Sequence, residues 1–159
     1  MNKNIYLKTA EIYKRKKRLI TVLNDVITYL FIIAYILFLI YGFIKKDPAF
    51  SRYFSIPLIG FIEVSIFRHF VNSIRPYEKY PELALENPLK KGKSFPSRHT
   101  FSAFIISYVF FDFNIYIGVA FLLLSFLLGI LRVLSLKHFI KDVTASFVFA
   151  TLVYIIYII

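Results

Sequence analysis

The run from Leu19 to Ile44 narrows the choice of fold more than anything else in the chain. It is apolar almost throughout. About 20 helical residues cross a hydrocarbon core roughly 30 Å thick, so this run is long enough to span a bilayer. Inside lipid the backbone must satisfy its own hydrogen bonds, and a single segment can do that only as a helix. Four more apolar segments follow: Tyr53 to Ile74, His99 to Phe111, Ile115 to Leu136, and His138 to Ile159. Short polar breaks divide them: KKDPAFSR (Lys45 to Arg52), the proline-rich loop Pro76 to Pro96, DFN (Asp112 to Asn114), and the bend at Lys137 and His138. The expected fold is all-α, an integral membrane bundle of about five transmembrane helices. Residues 1–18 form a basic segment carrying KRKKR (Lys14 to Arg18), read as lying on the membrane surface, and 19–159 form the transmembrane domain. The first span is too long for a removable signal peptide and lacks a small-residue cleavage site.

Composition removes several function classes. Hydrophobic residues make up 58% of the chain, more than a soluble domain of this size carries, which implies a multi-pass membrane protein. The absence of cysteine excludes disulfides, thiolate catalysis and cysteine-based zinc sites. The net charge of +11 has no soluble basic domain on which to meet nucleic acid, so it points to anionic headgroups and phosphate, with the bilayer as partner.

Ionisable groups in or beside the spans are the informative ones, because a charge in lipid is costly and usually faces a partner inside the bundle. Arg68 and Arg75 are seven residues apart, two helical turns, which places both on one side of the second span near its exit. The third segment opens with FPSRHT, bringing Ser97, Arg98 and His99. Arg132 comes six residues before His138, and Asp142 comes four after it, one turn along the last helix. If successive spans alternate in direction, all of these groups meet at one end. Each also has an ordinary reading: arginines snorkel, serine and proline open helices, and a basic run sets topology. Lys90, Lys91 and Lys93 read as a solvated or lipid-attracting stretch, and Glu63 and His69 as interior polar contacts of the second span. Convergence favours a site, since independent anchors have no reason to assemble these particular parts.

The parts suit phosphoryl transfer. A phosphoryl group in transfer spreads negative charge over three oxygens and needs fixed cationic donors, a role that forked, always-charged arginine fills well. A neutral histidine oriented by a carboxylate can attack phosphorus, and a second histidine can protonate the departing oxygen. The start of the third helix, with Ser97, adds backbone N–H groups directed at an anion. No set of metal ligands is evident, so the arginines take the place of a metal cation.

The order Arg68-x6-Arg75-Pro76, Pro96-Ser97-Arg98-His99 and Arg132-x5-His138-x3-Asp142 resembles the three-part signature of the type-2 phosphatidic acid phosphatase superfamily. The resemblance implies His138 as the nucleophile that forms a phosphohistidine, Asp142 as its orienting partner and His99 as the acid. It implies that Arg68, Arg75, Ser97 and Arg132, with the backbone at Arg98, hold the phosphate. The expected activity is metal- and cofactor-independent hydrolysis of a lipid phosphate monoester or isoprenyl diphosphate. The competing expectation is an inactive relative that binds anionic lipid or acts as a scaffold, and the complete histidine and aspartate set argues against it. The chain departs from the family at three positions: Arg68 stands where lysine is usual, Arg98 where glycine is usual, and Leu131 where serine often precedes the arginine. Family members in membranes commonly have six spans. The resemblance also implies a site on the extracytoplasmic face of the cell membrane, although lysine and arginine bias places the same end in the cytoplasm.

Overall fold

Helix α1 runs from Lys3 to Lys45, so the basic segment and the first span are one helix, with non-helical backbone angles at Lys16 (φ −118°, ψ 22°). The structure, a computed structural model, describes residues 3–81 and 91–158. Before the bend, Tyr6, Ala10 and Tyr13 are buried, the spacing of a single helical face. Tyr6 packs its ring 4.7 Å from that of Tyr80 and clusters with Ala10 and Leu136. The basic arm therefore leans on the protein, and it does so at the end where Leu136 leads into His138.

The remaining elements are α2 (Phe50–Val71), α3 (Pro76–Lys79), α4 (Arg98–Phe113), α5 (Ile115–Leu134) and α6 (Ile140–Ile158). Four stretches are long and apolar enough to cross a membrane: Lys3–Lys45, Phe50–Lys79, Ile115–Leu134 and Ile140–Ile158. At 16 residues α4 is shorter, and it is the most enclosed helix, with Phe101, Phe104, Ile105 and Val109 almost wholly buried. It runs between the two ends of the bundle: Ser97 opens it beside α6, and Asn114 closes it. The Asn114 side chain then accepts from the N–H groups of Tyr116 and Ile117, capping α5.

The surface is the reverse of a soluble protein's. Phe43, Ile44, Phe70, Tyr116 and Ile156 are all strongly exposed, as expected where lipid is the solvent. Apolar burial drives little helix association under those conditions, so close approach and interhelical hydrogen bonds matter more. Ser107 on α4 meets Ser125 on α5 at 2.9 Å, and Tyr108 meets Thr151 of α6 at 2.7 Å. A Cβ on Gly129 of α5 would lie 2.6 Å from Val143 Cγ1, so glycine is what lets α5 lie against the start of α6.

Three local expectations change. Arg75 does not lie on α2, because Asn72 adopts left-handed angles (φ 39°) and ends that helix. Arg75 is instead the N-cap of α3, whose first residue is Pro76. His138 precedes α6 rather than lying on it. Glu63 and His69 are exposed, not interior, because α2 buries the stripe Tyr53, Ile56, Gly60, Val64, Arg68. Glu63 accepts from Tyr157 Oη at 2.8 Å, and His69 Nδ1 lies 3.1 Å from Lys93 Nζ. Lys90 and the middle of the proline-rich loop lie outside the described residues, whereas Lys91 and Lys93 are exposed.

Candidate active site

Arg68 organises the loop that leads into α4. It is almost fully buried, and its terminal nitrogens donate to the carbonyls of Lys93, Ser94 and Pro96. Glu78 holds the start of the same loop, accepting from the backbone N–H of Arg75 at 3.0 Å and of Gly92 at 2.8 Å. Gly92 has φ +61°, and a Cβ there would lie 2.4 Å from Asn72 Oδ1, so the position needs glycine on both counts. The Ser94 N–H donates to Ser73 O at 2.8 Å, and the Phe95–Pro96 peptide is cis.

The loop delivers Ser94 and Ser97 to the head of α6. Asp142 is fully buried, and its Oδ2 accepts from the Phe139 N–H at 2.9 Å and from the Ser94 hydroxyl. His138 Nδ1 lies 3.4 Å from that same oxygen and 3.4 Å from Ser94 Oγ. Asp142 thus caps its own helix, reaching back to the N-cap as the third residue of a capping box does, and it fixes the imidazole in the same contact. Asp142 Oδ1 is buried with no hydrogen-bond partner among the described residues. His138 sits in the α5–α6 connection and is itself buried. Burial holds its imidazole well below the ordinary histidine range; Asp142 pulls the other way, while Arg75 and Arg132 add to the fall. The fall favours a neutral imidazole, with Nδ1 turned to the carboxylate.

Ser97 is the N-cap of α4 by position, but its side chain makes no capping bond. Its N–H donates to Asp142 O at 3.1 Å, its carbonyl accepts from Ser146 Oγ at 2.9 Å, and its hydroxyl accepts from Thr100 Oγ1 at 2.9 Å. The first turn of any helix has backbone N–H groups without intrahelical acceptors. Here those groups belong to the stretch Arg98, His99 and Thr100, next to the His138 and Asp142 pair.

The guanidiniums differ in how they are occupied. Arg75 donates through Nε to Gly92 O at 3.1 Å and through Nη1 to Lys137 O at 3.2 Å. Arg132, on the last turn of α5, is 6% exposed, and its Nε is buried without a hydrogen-bond partner among the described residues. It lies within electrostatic reach of Arg75 and of Asp25 on α1. Arg132, His138, Arg98 and Lys137 all act electrostatically on His99. The structure thus brings Arg75, Ser97, His99, Arg132, His138 and Asp142 to one end of the bundle, with Arg68 holding the loop that leads into α4. Among the described residues, no three His, Asp or Glu side chains gather as metal ligands.

Arg98 points elsewhere. It is exposed, its Cζ sits 5.8 Å from the centre of the Phe61 ring, and with His99 it lines a cavity of about 310 Å³. Phe31 and Ile32 of α1 and Ile106 and Leu128 of the inner bundle form apolar walls of that cavity.

A family model, the PAP2 superfamily, matches residues 48–159. The chain belongs to the PAP2 superfamily. All three motif segments of this PAP2 protein fall within the matched range. Its structure is similar to the crystal structure of Aquifex aeolicus LpxE (TM-score 0.66, 24% identity, covering 89% of this chain and 93% of that one). It is also similar to the first transmembrane PAP2-type phosphatidylglycerolphosphate phosphatase from Bacillus subtilis (TM-score 0.55, 18% identity, 96% and 90% covered). Among curated proteins, none matches the chain in a sequence search. At these identities the two structures establish the shared membrane fold, and the family model establishes membership.

Ser94, Glu78 and Asp25 lie in or beside this candidate site without forming part of the motif: Ser94 contacts His138 and Asp142, Glu78 holds the loop, and Asp25 acts electrostatically on Arg132. Ser94 follows directly on a lysine-rich stretch that reads as solvated loop, and Glu78 acts on backbone atoms, which no side-chain spacing reveals. Sequence reasoning missed Asp25, and the signal that could have found it is that it is the one charged residue between Leu19 and Ile44, where a charge is costly.

Proposed function

We propose that this protein is a membrane phosphatase that hydrolyses a lipid phosphate monoester or lipid diphosphate through a phosphohistidine, without a metal ion. The observation that carries the reading is the buried Arg132 guanidinium. Among the described residues its Nε has no acceptor, and it stands beside the carboxylate-held His138. A buried cationic donor left unpaired is costly, and a phosphate oxygen supplies the missing acceptor. The Bacillus subtilis phosphatase of similar fold lends support as a relative acting on a lipid phosphate.

In this scheme the phosphate sits among Arg75, Arg132, the Ser97 hydroxyl and the first N–H groups of α4. Arg68, engaged by loop carbonyls, holds the loop that shapes this cradle. His138 attacks through Nε2, because Nδ1 faces Asp142. The P–N bond forms as the bond from phosphorus to the lipid oxygen breaks, and His99 gives that oxygen its proton. The phosphate's own charge favours the protonated form of His99 once substrate is bound. Water then attacks phosphorus, His99 takes a proton from it, the P–N bond breaks, and inorganic phosphate leaves. The lipid chain follows the departing oxygen into the cavity lined by His99, Phe31 and Leu128.

The test is phosphate release by purified protein in detergent from phosphatidate, phosphatidylglycerol phosphate and farnesyl diphosphate. Activity should survive EDTA and be abolished by vanadate, which imitates five-coordinate phosphorus in the same cradle. Strict magnesium dependence would overturn the mechanism. Release from none of the three by a folded protein would favour the scaffold reading.

A further inference from the structure

Resting on that reading, we propose that Arg98 binds a second phosphate carried by the leaving group, so that the preferred substrate is a lipid whose departing half is itself phosphorylated.

Displacement at phosphorus runs roughly in line, with the attacking and departing atoms on opposite sides. With His138 as nucleophile, the far side is the His99 side, and whatever lines the cavity with His99 faces the leaving group. Arg98 is the cation in that lining. Its position separates it from the other arginines. Arg68 is held by the carbonyls of the 93–96 loop, Arg75 by those of Gly92 and Lys137, and Arg132 is sealed beside His138. Arg98 alone among these four stands at the apolar cavity. Its guanidinium lies over the face of Phe61 and has no hydrogen bond or ion pair among the described residues.

A ring face attracts a guanidinium only modestly, and it leaves the N–H edges free to bond an acceptor in the ring plane of the cation. The stacking therefore orients the fork without saturating it. At the edge of a low-dielectric cavity, a free cation discriminates strongly between a neutral and an anionic ligand. A leaving group that is only an acyl glycerol or alcohol offers Arg98 no charge. One bearing phosphate does. Two chemistries meet this requirement: a diphosphate ester, whose second phosphate adjoins the scissile bond, and a phosphodiester one glycerol away.

The experiment compares kcat/KM of wild type and Arg98→Gln in detergent on farnesyl diphosphate, phosphatidylglycerol phosphate and phosphatidate. Wild type should prefer at least one of the first two over phosphatidate. Arg98→Gln should reduce that preference by about 10- to 100-fold, the range for losing a hydrogen bond to a charged group. Arg98→Lys should retain part of it. A larger loss on farnesyl diphosphate places the second phosphate next to the scissile bond, and a larger loss on phosphatidylglycerol phosphate places it a glycerol away. Because the readout is a ratio within one variant, a general loss of folded protein does not imitate it. A wild type that prefers phosphatidate, or a preference unchanged by Arg98→Gln, overturns the proposal and leaves the phosphatase reading standing. A folded wild type inactive on all three overturns both.

Discussion

Arg132 Nε and Asp142 Oδ1, at the same end of the bundle, are buried polar atoms without hydrogen-bond partners among the described residues. Native interiors rarely leave such atoms unsatisfied, and where they do a ligand or a catalytic role is the usual reason. Donors fixed in a site contribute most when charge has spread in the transition state, so Arg132→Lys should lower kcat by about 10²-fold, the scale for losing one such donor. A turnover within a few-fold of wild type would place Arg132 outside the cradle. The two histidines are separable by the demands of their steps. If His138 attacks phosphorus, its loss removes the covalent route for every substrate, and His138→Ala should be inactive on phosphatidate and para-nitrophenyl phosphate alike. If His99 protonates the departing oxygen, its importance should scale with that oxygen's basicity. His99→Ala should then retain far more activity on para-nitrophenyl phosphate, whose leaving group departs unprotonated, than on phosphatidate. The reverse pattern in a steady-state assay of both variants would exchange or abolish these roles.

At the scale of elements, the hydrophobic runs and motif spacings carry most of the fold, because lipid permits few alternatives to a helix. What they do not carry is where backbone geometry overrides periodicity. The seven-residue spacing of Arg68 and Arg75 suggests one helix, yet Asn72 turns left-handed and Arg75 reaches the site as the cap of α3. The four-residue spacing of His138 and Asp142 also suggests one helix, yet the pair forms because Asp142 reaches back across the start of α6. Ser94 is legible only once Asp142 is placed, since its partner lies 48 positions away in sequence. Helix contacts are equally hidden. Gly129 sits three residues before Arg132, and a Cβ there would press on Val143 Cγ1 at 2.6 Å and Thr100 Cγ2 at 3.4 Å. Gly129→Ala should push α5 from the heads of α4 and α6, withdraw Arg132 from His138 and lower kcat, with an overpacking penalty of about 1–3 kcal/mol. Val143→Ala removes the opposing methyl, so the double variant should recover thermal stability and turnover together. A Gly129→Ala protein as active and as heat-stable as wild type would show that the α5–α6 contact is loose.

At the scale of the whole molecule, the contact of Tyr6 with Tyr80 and Leu136 puts the basic arm and the site at one end of the bundle. That end also carries Lys79, Lys91, Lys93, Lys137 and Lys141, while the other end carries Lys45, Lys46 and Arg52 beside Asp47 and Asp112. Cationic loops are normally retained in the cytoplasm, which would place the site there. The site arginines do not count in that balance, because phosphate binding requires them on whichever face the substrate is presented. The resemblance to the phosphatidic acid phosphatases favours the extracytoplasmic face, and we propose that orientation. The absence of cysteine from the chain makes the question directly measurable. Lys91→Cys reports the site end and Lys46→Cys, in the α1–α2 link, reports the opposite end; both positions are exposed. With a membrane-impermeant maleimide on intact cells, Lys91→Cys should label, and Lys46→Cys should label only after lysis. The opposite pattern would turn the bundle over and give the lysine balance, rather than the family, control of its insertion. The catalytic geometry would be unaffected, but the enzyme would then draw its substrate from the cytoplasmic leaflet.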